Sequence, residues 1–364
     1  MPPKLYGGTE RVVSFLTEEL VRQGHEVTLF ASGDSETSAE LVACSPRSLR
    51  LDGGCIDQLA HHIRMLGEVE ARADEFDLIH FHVDYLHFPS TRQTGACHVT
   101  TLHGRLDIPD LVPLYETFPE MPVVSISDAQ REPLPFANWR ATVYHGLPRD
   151  LLTFRPGPGR YLAFLGRISR EKRVDRAIEI ATRVGMPLKI AAKIASADKD
   201  YYEEVRPLFD HPLVEFVGEI NEREKDQFLG EAAALLFPID WPEPFGLVMV
   251  EAMACGTPVI AFRHGSVPEV MRQGVSGFVV DSMDEAVAAT QQVLGLSRRR
   301  CRDYFEERFG VERMARDYVQ VYREHVRTSG GRVDVVAAAR AAAAKADGAG
   351  EALSMLREST AEAS

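Results

Sequence analysis

Residues 161–184 read YLAFLGRISREKRVDRAIEIATRV: a β-rich apolar run, Tyr161–Leu165, a charged loop, then an amphipathic helical pattern over Val174–Val184. A strand followed by a helix is half of a parallel βαβ unit, and the same alternation continues in both directions. Further strands are expected at Val27–Ala31, Leu78–His82, His98–Leu102, Val123–Ser125 and Thr142–Tyr144, and beyond the quoted stretch at Leu188–Ala192, Val214–Val217, Ala234–Phe237, Val259–Ala261 and Gly277–Val280. Amphipathic segments lie between them at Val12–Gln23, Ile56–Arg72, Asp200–Leu208 and Leu247–Ala254. Such alternation predicts an α/β protein with parallel sheets covered by helices on both faces. The stretch 154–160, with two prolines and two glycines in four positions, separates two strand-rich series and is expected to be an interdomain linker. Two doubly wound domains place a cleft at the carboxyl ends of their strands, so chemistry is expected in strand-to-helix loops.

The 364 residues are 45% hydrophobic and 26% charged, a globular composition long enough for two domains of about 150 residues. The formal charge is −13, and residues 1–150 hold 22 acidic against 12 basic side chains, which argues against nucleic acid and against strong docking on anionic lipid. No apolar run is long enough for a membrane span and no signal core follows Met1, so a cytoplasmic location is expected. The five cysteines form no CxxC pair and read as reduced, small hydrophobes rather than a disulfide framework or zinc site.

Two clusters carry chemistry. In the first, residues 242–251 (PEPFGLVMVE), two prolines hold the chain extended, Gly246 lets backbone approach a ligand, and a helix starting at about Leu247 offers free amides to an anion. Glu243 and Glu251 flank this turn eight residues apart, about 12 Å if the whole interval were helical. A single ligand meeting both must be long, with polar ends and charge between, and a nucleotide sugar has that shape. The second cluster, residues 164–173 (FLGRISREKR), follows a strand; Gly166 ends it, and Arg167 and Lys172 can converge on one anion.

Together with 6–12 (YGGTERV), 100–104 (TTLHG), 265–270 (GSVPEV), 277–281 (GFVVD) and 314–325 (MARDYVQVYREH), these segments resemble the retaining nucleotide-sugar glycosyltransferases of the two-domain GT-B fold, glycosyltransferase family 4, over residues 1 to about 326. The resemblance implies two Rossmann-like domains facing across a cleft: an acceptor-side domain over 1–154, completed by a helix at about 310–326, and a donor-binding domain over 155–305. An alanine-rich tail occupies 327–364. It also implies roles. Arg167 and Lys172 neutralise the departing diphosphate without a metal or cofactor; Glu251 accepts from the ribose hydroxyls; Glu243 and the amides of Phe245, Gly246 and Leu247 hold the transferred sugar. Gly7 and Gly8 form the loop facing the diphosphate, and His103 points at the sugar or the acceptor. The co-substrates are then a nucleotide sugar, UDP being the commonest in the family, and a hydroxyl-bearing acceptor.

Family members begin with a hydrophobic strand before the glycine loop, whereas this chain begins inside that loop, so the first domain is expected to lack its first strand, with translation starting upstream of Met1. Other features have plainer readings. The acids of Asp198-Lys199-Asp200 cap a helix; His80 and His82 are packed or cleft-lining imidazoles rather than metal ligands; the basic run Arg298–Arg300 is a solvated face; Ser127-Asp128 is a cap. Glu269 reads equally as a donor-side residue or a helix-start carboxylate. Two rival functions stand beside transfer: a sugar-nucleotide epimerase or phosphorylase of the same fold, and a catalytically dead GT-B shell that binds a partner. Retention of Glu243, Glu251, Arg167 and Lys172 together favours transfer.

Overall fold

The computed structural model describes residues 7–328. Among the described residues the first domain carries six strands: β1 (Thr28–Ser32), β2 (Glu40–Ser45), β3 (Ile79–Phe81), β4 (His98–Thr101), β5 (Val123–Ser125) and β6 (Trp139–Thr142). The second carries β7 (Tyr161–Arg167), β8 (Leu188–Lys193), β9 (Val214–Gly218), β10 (Ala232–Phe237), β11 (Val259–Phe262) and β12 (Gly277–Val280). Among the described residues every strand pairing is parallel.

The second domain is one six-stranded sheet in the order β12-β11-β10-β7-β8-β9. The chain enters at the centre on β7, winds outward through β8 and β9, then returns to the other side of β7 as β10. The crevice at this switch, beyond the carboxyl ends of β7 and β10, is where doubly wound sheets bind ligands. Strand β10 (AAALLF) is buried at all six positions, as an unbroken apolar run in a central parallel strand should be.

The first domain is divided. Strands β1 and β2 form one sheet and β3-β4-β5-β6 another. Between them lies a cavity of about 1380 Å³ lined by β1, β3 and the helices Gly8–Arg22, Gln58–Ala71 and Val311–Thr328, including Leu16, Leu29, Leu66 and Phe81. Among the described residues β1 pairs only with β2 and β3 only with β4, so both present an unpaired edge toward this space. The expectations for the chain before Gly7 and for the tail beyond Thr328 lie outside the described residues. Helix Val311–Thr328 returns to the first domain and packs on Gly8–Arg22; Met314, Ala315 and Tyr318 are fully buried with Val12 and Leu16.

Three readings need correction. Strand β2 is absent from the expected set: its short apolar run, partly exposed at the edge of a two-stranded sheet, gives a weak signal. Strand β6 ends at Thr142 rather than spanning Thr142–Tyr144, because the chain there leaves for the second domain and Arg313 grips the carbonyls of Tyr144 and His145 at 2.7 and 2.9 Å. Arg298 is not solvated. It is buried, donating to the carbonyls of Arg155, Ala232 and Gly230 and to Thr257 Oγ1, so it ties the linker to the sheet. Cys255 and Cys301 are buried free thiols, pushed up to about 12 by burial and therefore unreactive.

Candidate active site

Strand β7 runs through Gly166 to Arg167, past the expected end at Leu165, and delivers the loop 168–173 to the switch-point crevice. A Cβ built on Gly166 would meet nothing within 4 Å, so the strand end faces open space. The loop is fixed by Arg173, whose backbone is left-handed (φ +52°) and whose guanidinium is held by Asp175 at 2.8 Å and Asp240 at 2.8 Å. That clamp offsets the roughly 1–2 kcal/mol cost of a left-handed arginine.

From the neighbouring strand β10 the chain runs through 238–246 to the helix Leu247–Ala254, which begins where expected. Gly246 precedes it with φ +75°, a left-handed backbone in which any other side chain is strained. Only the last part of the interval from Glu243 to Glu251 is helical, and the two carboxylates have separate environments. Glu243 pairs with Lys172 from the β7 loop and accepts from Trp241 Nε1 at 3.1 Å. The Lys172 ammonium lies 4.8 Å from the Trp241 ring centre. Gly265 of the GSVPEV segment, also left-handed (φ +52°), lies against the Glu243 backbone, where a Cβ would sit 2.4 Å from its carbonyl oxygen, and Ser266 N donates to that oxygen. Phe245 is fully buried.

Arg167 is held by Glu171 at 2.5 Å and by Asp198 at 3.1 Å. This corrects the capping reading of Asp198. It occupies the N-cap position of helix Lys199–Val205, but its side chain makes no cap hydrogen bond and turns to the guanidinium instead. Arg167 and Lys172 are thus each paired with carboxylates of their own at the loop that follows β7.

Glu251 lies deeper, 5% exposed at its side chain, and accepts from Lys225 Nζ at 2.7 Å and from Arg11 at 3.1 Å. Arg11 belongs to the first domain, on the helix Gly8–Arg22. Gly7 is its N-cap residue in extended conformation, and among the described residues a Cβ on Gly8 would meet nothing within 4 Å.

His103, at the end of β4, reaches the second domain through a ring chain. It stacks on His145 at 5.3 Å between centres, and His145 meets Phe245 edge-on at 4.8 Å. Its Nε2 hydrogen-bonds His82 Nδ1 at 2.9 Å, and burial pushes its pKa down to about 4, so it is neutral at pH 7. His80 is a packed imidazole, bonded to Tyr322 Oη and Thr101 Oγ1, both at 2.7 Å. Ser127 caps the turn that follows β5, accepting from Gln130 N. Glu269 does what neither of its readings foresaw: its carboxylate reaches into the first domain and accepts from the amides of Asp128 and Ala129, each at 2.7 Å, and from Tyr144 Oη at 3.1 Å.

Sequence reasoning missed Arg11, Lys225 and Trp241. Arg11 stands three residues after Gly8 inside the quoted YGGTERV segment, and i,i+3 spacing on a helix places both on one side. Lys225 and Trp241 left no signal of that kind.

The model for glycosyl transferases group 1 matches residues 153–308, and that for glycosyltransferase family 4 matches residues 6–123. An uncharacterized glycosyltransferase of Methanocaldococcus jannaschii is 24% identical over 88% of this chain and 95% of its own length. An uncharacterized 41.2 kDa protein in the cps region of Klebsiella pneumoniae is 27% identical over 45% of this chain, and the chain spans about half of it, 46%. Among solved structures, Anabaena HepE in complex with UDP and glucose superposes with a TM-score of 0.70 at 19% identity, over 89% of this chain and 97% of that one, a likeness of fold. Among the described residues no helix is long and apolar enough to cross a membrane.

Proposed function

From the premise that this chain belongs to the family 4 glycosyltransferases, with the GT-B fold, we propose that it moves a sugar, with retention at the anomeric carbon, from a nucleoside diphosphate to a hydroxyl acceptor. The carrying observation is the Lys172–Glu243 pair. Two loops 71 residues apart in sequence place a cation and a carboxylate together at the switch point of the donor-side sheet, against the helix start at Gly246 and Leu247.

In the transfer the bond from the anomeric carbon to the diphosphate oxygen breaks, the acceptor oxygen bonds to that carbon on the same face, and the acceptor proton passes to the departing phosphate oxygen. Negative charge grows on the diphosphate, and Arg167 and Lys172 are the side chains that stabilise it. Each exchanges a carboxylate partner for phosphate, and the chain needs no metal or cofactor for this. Glu243 and the amides of Phe245, Gly246 and Leu247 hold the sugar, Glu251 takes the ribose hydroxyls, and Gly7 and Gly8 let the first domain close over the diphosphate. His103, neutral at pH 7, accepts a hydrogen bond from a sugar or acceptor hydroxyl. UDP is the proposed nucleotide, supported by the UDP held in HepE.

A screen of UDP-, GDP- and ADP-sugars for slow donor hydrolysis tests this reading. One nucleotide class should be hydrolysed by the wild type and spared by Lys172→Ala; absence of turnover with all of them, together with absence of nucleotide binding, would favour the non-catalytic shell.

A further inference from the structure

The ribose end of the donor site is held from both domains at once. Arg11 is buried; one nitrogen of its guanidinium reaches Glu251 Oε1 at 3.1 Å and the other reaches Glu222 Oε2 at 2.8 Å. Lys225 reaches the same two atoms, at 2.7 and 3.3 Å. Two cations and two carboxylates therefore alternate in a closed, net-neutral ring, with Glu251 its most enclosed member.

A carboxylate so far from water needs a cationic partner, and Lys225 already supplies one from the same domain. Arg11 balances the second carboxylate of the ring, Glu222, and comes from the other side of the cleft. What a planar guanidinium adds is direction. Both cations end on Oε1, so the carboxylate is fixed in rotation and Oε2 is the oxygen left for a ligand.

We propose that Arg11 is a positioning residue for the nucleotide ribose: it orients Glu251 toward the ribose diol, so that ribose is recognised only when the first domain stands against the second. The proposal rests on the assignment of Glu251 to ribose made above. It differs from a plain interdomain strap, which would affect binding of any nucleotide equally, and from a guard, which would have to leave before ribose could bind.

The test compares a nucleoside diphosphate with its 2′-deoxy form, using whichever of UDP, GDP and ADP binds the wild type most tightly, by titration calorimetry. Wild type should prefer the ribonucleotide by roughly ten-fold or more, the scale of a hydrogen bond to a charged group. Arg11→Ala and Glu251→Ala should each bring that ratio close to one, the double variant should lose nothing further, and Arg11→Lys should keep part of the preference. Lys172→Ala should weaken both ligands alike and leave the ratio intact. Arg11→Gln, which keeps hydrogen bonds but not charge, serves as a second variant if the alanine variant folds poorly. A ratio unchanged in Arg11→Ala and Arg11→Gln overturns the proposal in favour of a strap, and tighter ribonucleotide binding overturns it in favour of a guard. In both cases loss of the preference in Glu251→Ala shows that the assignment of Glu251 to ribose still stands. If Glu251→Ala keeps the wild-type preference, that assignment falls and the proposal with it.

Discussion

In the second domain the central strands of a six-stranded sheet are flanked on both sides and β10 is buried throughout, while in the first domain, among the described residues, β1 and β3 each have one neighbour and face a cavity of about 1380 Å³. The same alternation of strand and helix thus produces one closed body and one open one. The closed body carries the ion pairs of the proposed donor site. The open one contributes Arg11, Gly8 and a set of buried imidazoles. A sheet flanked on both sides suits a site that must hold cations in place against their own carboxylates.

The largest effect belongs to the closed domain's cations. Lys172→Ala or Arg167→Ala should lower kcat/KM for transfer by about 10²–10³, the scale of losing one preorganised donor to developing charge. His103→Ala, across the cleft, should lower it by about ten-fold, the scale of one hydrogen bond. Steady-state kinetics on the three variants checks the order, and an equal loss in all three would erase the division of labour.

Acid should separate the domains next. Burial pushes His80 and His87 down to about 3, and His103 and His325 to about 4, and all four pack in the first domain. Their folded pKa values lie below the unfolded value of 6.5, so between pH 6.5 and about 4 the unfolded chain binds more protons, and stability falls as pH falls. A histidine whose pKa is one lower in the folded than in the unfolded chain withdraws about 1.4 kcal/mol of stability once both forms are protonated, so the first domain should lose several kcal/mol over that window. Trp139 lies on β6 and Trp241 in the donor loop, so the single-tryptophan variants Trp241→Phe and Trp139→Phe report one domain each. The Trp139 signal should move first on acidification; coincident transitions would mean that the two domains unfold as one.

A smaller contrast concerns packing. Leu235→Ala, at a fully enclosed position of β10, should cost about 2–5 kcal/mol. Leu29→Ala on β1 borders the cavity and has fewer partners to lose, so it should cost about 1–2 kcal/mol. Urea denaturation of both variants checks this, and equal costs would mean that the cavity side is as tightly packed as the sheet centre.

The sequence made the second domain almost fully legible. Its strands β10, β11 and β12 are unbroken apolar runs, and the helices Val174–Val184 and Leu247–Ala254 fall where expected. Legibility was lower in the first domain, where β2 is a weakly patterned edge strand and β6 stops short because the crossing chain is held by Arg313. At the site the residue types were readable from their loops, and their partners were not. Asp198 looked like a cap and pairs with Arg167; Glu269 read equally as a donor-side residue or a helix-start carboxylate, and it caps a turn of the other domain; Arg298 looked solvated and is buried on carbonyls. Each is a long-range contact that local spacing does not encode. Arg11 is the same kind of case, 240 residues from the carboxylate it orients.

The central claim is that Arg167 and Lys172 form a diphosphate site at the switch point of the second sheet. Titration calorimetry of UDP, GDP and ADP against the wild type, Arg167→Ala and Lys172→Ala tests it most directly. Saturable one-to-one binding of at least one nucleotide is expected, weakened about ten-fold or more in each variant. Binding that is indifferent to both substitutions, or no saturable binding by the wild type, would contradict it.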